Sequence, residues 1–165
     1  MDREHAPQRD GFPAREPADH EVAAGAIGGV AAGIAMWLPA MAASPPGLGF
    51  LFPMKLVAAS FMGGSALDTG RTAAVLVGAV LAALASVAAA LVFVSILPEK
   101  ARAPASVAAG AAYGALLFAP AWYGLVRVTD PILFSAGVGL PVLLLHVIYG
   151  AVLGLVVPSL RKVLP

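Results

Sequence analysis

The chain has 165 residues, of which 60% are hydrophobic and 12% are charged, with a net charge of +1 and a mean hydropathy of +0.90. About a quarter of the residues of an ordinary soluble domain are charged, so this composition excludes a soluble globular fold and indicates an integral membrane protein. The near-neutral charge, without a basic stripe, argues against nucleic acid as a partner. The chain has no cysteine, which excludes disulfides, thiolate metal sites and cysteine nucleophiles.

The first 21 residues are polar and mixed in charge, and they predict a disordered tail. A cleavable signal peptide is disfavoured because acidic residues precede the first apolar run, which is itself long for a signal sequence.

Four apolar runs follow, at about 22–43, 71–97, 104–126 and 138–157. Each is long enough to cross a hydrocarbon core of about 30 Å as a helix. The sequence therefore predicts an all-α, polytopic bundle of four transmembrane helices, with residues 22–165 as a single membrane domain.

The connection at 44–70 is too long for a simple turn and contains an apolar stretch at 50–67, which Pro53, Lys55 and two glycines interrupt. This pattern favours an interfacial or re-entrant segment in the first external loop over a fifth span. A fifth span is the alternative, and it would move the C-terminus to the other side of the membrane.

The distribution of Lys and Arg predicts the orientation. With four spans, the tail, the second loop and the C-terminus share one side of the membrane and carry seven of the ten basic residues. Basic residues favour the cytoplasmic side. We therefore expect both termini in the cytoplasm and the protein in the bacterial inner membrane.

An internal repeat is suggested by the spacing of glycine and proline. A shift of 81 places Gly29, Gly33 and Pro39 on Gly110, Gly114 and Pro120, and a shift of 72 places Gly78-Ala79-Val80-Leu81 on Gly150-Ala151-Val152-Leu153. The chain then consists of two copies of a helical hairpin, entering from the same side. Chance is the alternative, because alanine, glycine, leucine and valine dominate the spans.

Seven glycines at four-residue spacing form candidate helix-packing faces, because small residues let helix backbones approach closely in lipid. They are Gly25, Gly29 and Gly33 in the first span, Gly110 and Gly114 in the third, and Gly150 and Gly154 in the fourth. Packing within the monomer is favoured over packing against a partner protein or a second copy.

His146 is the ionisable residue that lies clearly inside a predicted span, and Tyr149 shares its helix face. Together with Tyr113 of the third span they form a candidate intramembrane polar cluster. Such a histidine acts as a proton relay, a ligand contact or a metal or haem ligand, or else it is neutral and bonded to a carbonyl or hydroxyl. The second alternative is favoured.

The spans contain no hydrolase, protease or ATPase motif and no paired carboxylates, so the sequence predicts no catalytic residue and no enzyme activity. It also predicts no metal site and no cofactor. A haem held by two histidines would need a symmetric dimer, since His146 has no second histidine in any span.

The last span carries His146, Tyr149, Gly150 and Gly154 in a His-x-x-Tyr-Gly-x-x-x-Gly pattern. In this pattern and in its four spans the chain resembles a group of uncharacterised small bacterial membrane proteins. That group often has a further histidine in the second helix, where this chain has Ala73 and Ala74, and the resemblance implies no activity.

Three functions are consistent with the sequence. The first is a non-enzymatic accessory or structural subunit that binds the lipid bilayer and associates with another membrane protein or with itself. The second is a small-solute or proton transporter with His146, Tyr149 and Tyr113 between the two hairpins. The third is a dimeric haem-binding redox subunit.

Overall fold

A computed structural model describes residues 19–68, 70–98, 101–129, 134–135 and 138–164. The predicted disordered tail at 1–21 falls largely outside the described residues, which begin at Asp19. The described residues form helices and connecting turns, with no β-strand among them.

Among the described residues, five helices have at least 11 residues, and a 3-10 helix lies at Gly64–Leu67. The five are α1 (Asp19–Ala42), α2 (Phe52–Met62), α3 (Thr72–Ile96), α4 (Ala103–Ala119) and α5 (Gly139–Val163). A π-helical segment at Pro120–Val126 and a final α-helical turn at Arg127–Thr129 extend α4, so the third span runs over Ala103–Thr129. Four helices are long and apolar enough to cross a membrane. The all-α, polytopic four-helix bundle is therefore confirmed.

The helix starts have simple local causes. Proline occupies the first turn of α2 and of α4, where its missing N–H would have had no helical acceptor. The spanning helices α3 and α4 consist mainly of Ala, Leu, Val and Gly. In lipid a helix is the structure in which such a segment satisfies all its own backbone hydrogen bonds.

The four spans are arranged as two hairpins that meet along α1. Helix α1 packs against α3 in the first hairpin, and α4 packs against α5 in the second, which is the most extensive contact in the fold. Helix α1 also packs along α5, whereas α3 and α5 touch only slightly. The spans therefore pack in the order α3, α1, α5, α4, with α1 and α5 as the two inner helices.

Helix α2 lies in the connection between the first two spans, and its 11 residues extend about 16 Å, too little to cross the membrane. The Met54 carbonyl, near its start, lies against Gly78 of α3, and Ala58 and Ala59 near its end cluster with Ala74. The helix therefore packs lengthwise along the first part of α3. Its length fits the predicted interfacial or re-entrant segment rather than a fifth span.

Two polar contacts hold α2, one near its start and one near its end. Lys55 Nζ donates to the Asp68 carbonyl oxygen at 2.7 Å. The Thr129 hydroxyl lies 3.2 Å from the Ser60 hydroxyl and joins α2 to the end of the third span. The short helix is thus tied to both hairpins.

The proposed repeat fits the packing of its first helices but not the predicted alignment of its second helices. Gly29 lies against Ser86 and Ala90, and Gly110 lies against Gly150 and Gly154. These contacts pair Ser86 with Gly150, an offset of 150 − 86 = 64 residues rather than 72. Gly78, which the shift of 72 aligns with Gly150, faces α2 instead. Duplication of the hairpin stays a prediction.

Candidate functional site

Two tyrosines tie the second hairpin to α3. The Tyr149 hydroxyl on α5 donates to the Ser86 carbonyl oxygen, and the Tyr113 hydroxyl on α4 donates to the Ala89 carbonyl oxygen at 2.7 Å. The Tyr149 side chain is 3% exposed, and the Tyr113 ring centroid lies 5.2 Å from that of Phe93. Both hydroxyls are therefore used in hydrogen bonds between helices.

His146 makes a different kind of contact from the two tyrosines. Its Nδ1 lies 2.9 Å from the Val142 carbonyl oxygen, one turn earlier in α5. Because a carbonyl oxygen only accepts, Nδ1 carries the proton and Nε2 is left as an acceptor. The predicted cluster is thus divided: Tyr113 and Tyr149 converge on α3, and no described hydrogen bond joins His146 to either of them.

The imidazole of His146 borders an aromatic cluster at the C-terminal end of the third span. Its ring meets the Phe118 ring edge-on, with centroids 5.9 Å apart. Phe118 also lies beside Trp122 and Tyr123, and both of these contact Phe134. Trp122 is 4% exposed. The cluster links the end of the third span to α5 through ring contacts.

The π-helical segment explains how two consecutive residues, Trp122 and Tyr123, both reach this aromatic cluster. Pro120 has no N–H to donate and crowds the preceding turn of an α-helix, so the helix widens there. In the wider turn, Trp122 and Tyr123 both reach the Phe118 ring, at 6.0 and 5.9 Å between centroids. Arg127 lies 5.8 Å from the centroid of the Phe134 ring, a distance typical of a cation–π contact.

Four of the seven predicted packing glycines lie at the α4–α5 contact, where the two backbones touch. A Cβ added to Gly110 would overlap the Gly150 carbonyl oxygen, and one added to Gly114 would overlap that of His146. A Cβ added to Gly150 would overlap the Gly110 carbonyl oxygen, and one added to Gly154 would overlap that of Ser106. All four glycines are therefore used inside the monomer.

The other three glycines pack α1 against α3, with more space between the backbones. A Cβ on Gly33 would lie 2.8 Å from the Ser86 hydroxyl, and one on Gly25 would lie 2.8 Å from the Leu91 Cδ2. A Cβ on Gly29 would lie 2.9 Å from the Ala90 Cβ and 2.9 Å from the Ser86 carbonyl oxygen. Side chains on α3 thus hold this hairpin slightly further apart than α4 and α5.

An open groove runs along the α1–α3 seam, and we call it the α1–α3 groove. Its volume is about 210 Å³. Gly33, Ala79, Ala82, Ala83 and Ser86 contribute small side chains to it, and larger apolar residues complete it: Val30, Ile34, Trp37, Leu38, Met41 and Met54. None of the three predicted cluster residues lines this groove.

A charged cluster joins the two hairpins at the end of the bundle where both termini lie. Arg161 of α5 forms an ion pair with Glu21 of α1 at 3.2 Å, with side chains 10% and 9% exposed. The same guanidinium donates to the Leu97 carbonyl oxygen at 3.1 Å and to that of Val94 at 2.7 Å, at the end of α3. We call Glu21, Arg161 and these two carbonyls the polar clasp.

Sequence reasoning missed the polar clasp because it treated both charges as solvent-exposed. Glu21 was assigned to the tail, and Arg161 was counted only toward membrane orientation. It also missed Gly28, where an added Cβ would lie 2.9 Å from Val157 Cγ2 of α5. The adjacent Gly28 and Gly29 were the available signal, because two successive glycines in a helix allow close packing on two faces.

Within the described ranges, no three side chains of His, Cys, Asp or Glu lie together in a way that could hold a metal ion. The first span as the structure gives it, Asp19–Ala42, also contains His20, and His146 Nδ1 has the Val142 carbonyl oxygen as its described partner. Comparison with known proteins gives no match to a family model, a curated protein or a solved structure.

Proposed function

We propose that this integral membrane protein is a non-enzymatic accessory or structural subunit, which associates laterally with another membrane protein or with a second copy of itself. The observation that supports this proposal best is the use of Tyr113 and Tyr149. Both hydroxyls, which a transport path would need, donate to backbone carbonyls of α3. The polar groups of the bundle therefore serve to hold its helices together.

The packing glycines further define the proposal. Each of the seven meets another helix of the same chain, so a glycine face is not the surface offered to a partner. What remains for lateral association is the apolar outer surface, to which α3 contributes Leu76, Val80 and Leu84, each more than half exposed. A partner on this side would contact α3 without disturbing the hairpins.

The test is affinity purification of the tagged full-length protein in a gentle detergent, read by mass spectrometry, native mass and visible absorption. Stoichiometric recovery of a larger membrane complex, or a defined homo-oligomer, supports the accessory role. A colourless monomer without a partner contradicts it. In that case, flux in proteoliposomes with His146→Ala as the control tests the transporter alternative.

A visible absorption band in the purified protein would favour the haem alternative instead. His146 Nδ1 donates to a backbone carbonyl, which is the arrangement that fixes the tautomer of many metal-bound histidines. Two copies would have to supply one His146 each. The predicted band would be lost in His146→Ala, and the native mass would be that of a dimer.

We further propose that the protein lies in the bacterial inner membrane with both termini in the cytoplasm. The absence of cysteine makes this directly testable, because single cysteines can be introduced without background labelling. Lys162→Cys should be protected from a membrane-impermeant thiol reagent in whole cells, and Ser65→Cys should be labelled. The opposite pattern would reverse the proposed orientation.

A further inference from the structure

We draw no further inference here: the strongest candidate, the polar clasp of Glu21 and Arg161 at the end of the bundle where both termini lie, belongs to the contact between the hairpins already described, and nothing among the described residues shows what else would bind or move there.

Discussion

The two hairpins have glycines at the same four-residue spacing, but the backbones of their helices approach one another to different distances. In the α4–α5 hairpin, Gly110 and Gly114 face Gly150 and a backbone carbonyl, so the two backbones touch. In the α1–α3 hairpin, Gly29 and Gly33 face Ala90 and Ser86, whose side chains hold the helices apart. The first hairpin leaves a groove of about 210 Å³ along its seam.

This difference shows that a glycine face determines only half of a helix contact. The distance between two helices in lipid depends on how small the residues at the contact are on both helices. Where glycine meets glycine, the backbones touch. Where glycine meets alanine or serine, an added Cβ keeps 2.8–2.9 Å from the facing atoms, so the two helices lie slightly further apart.

The largest fall in the free energy of unfolding is expected from a substitution that removes the contact between the two hairpins. Arg161→Leu removes the polar clasp and leaves the Glu21 carboxylate, 9% exposed, without its partner. Breaking one side of a buried ion pair costs about 3–5 kcal/mol. The free energy of unfolding in mixed micelles of SDS and a mild detergent, followed by circular dichroism, should fall by about 3 kcal/mol.

The neighbouring Lys162 is exposed and supplies the matched control. Lys162→Leu should leave the free energy of unfolding nearly unchanged. Adding Glu21→Gln to Arg161→Leu should restore part of the loss, because a neutral amide is cheaper to bury than a carboxylate. Equal destabilisation by Arg161→Leu and Lys162→Leu would show that the clasp does not join the hairpins.

The next largest loss of stability is expected from a substitution in the α4–α5 hairpin, where the two backbones touch. A Cβ on Gly114 would overlap the His146 carbonyl oxygen, and backbone atoms cannot move aside as a side chain can. Gly114→Ala should lower the free energy of unfolding by about 3 kcal/mol, the upper end of the usual cost of overpacking. Gly124→Ala is the control, since an added Cβ there meets nothing within 4 Å.

A smaller effect is expected for the bonds between the second hairpin and α3. Tyr149→Phe removes the hydroxyl that donates to the Ser86 carbonyl oxygen and keeps the ring. Interhelical hydrogen bonds in membranes contribute about 0.6 kcal/mol on average and up to about 1.7, so we expect a loss of about 1 kcal/mol. Tyr123→Phe, at a ring that is 57% exposed, should have no measurable effect on the same unfolding curve.

The substitution with the smallest expected effect on the free energy of unfolding tests the difference between the two hairpins most directly. Gly33 aligns with Gly114 in the predicted repeat, but a Cβ on Gly33 would meet the Ser86 hydroxyl at 2.8 Å, and this hydroxyl is free to rotate. Alanine also favours the helix by up to about 1 kcal/mol. Gly33→Ala should therefore change the free energy of unfolding by less than about 0.5 kcal/mol, and a loss as large as that of Gly114→Ala would contradict the looser packing.

Local patterns in the sequence were enough to predict most of the fold. The four apolar runs predicted the four spans, and the short, interrupted stretch at 50–67 predicted a segment that does not cross the membrane. The glycine spacing also identified residues that pack helices together. Each of these features depends on residues close together in the chain, and so periodicity and length were sufficient.

The candidate site was less predictable. Grouping His146 with Tyr149 followed from their spacing on one helix, but the structure directs Tyr149 to Ser86 and His146 to Val142 of its own helix. Spacing shows which residues share a face, whereas the neighbouring helix decides what each of them meets. The aromatic cluster also includes Phe134, which ring contacts with Trp122 and Tyr123 bring beside the π-helical turn that begins at Pro120.

The sequence by itself determined that this is a four-span helical membrane protein, because hydrophobic length and backbone hydrogen bonding in lipid allow few other structures. Only the tertiary structure decided which residues meet between helices. The polar clasp joins Glu21 and Arg161, which are 140 positions apart in the chain, and across the α1–α3 contact Gly29 and Gly33 meet Ala90 and Ser86 rather than glycines. Both depend on the register between helices, which is set by packing over the whole bundle.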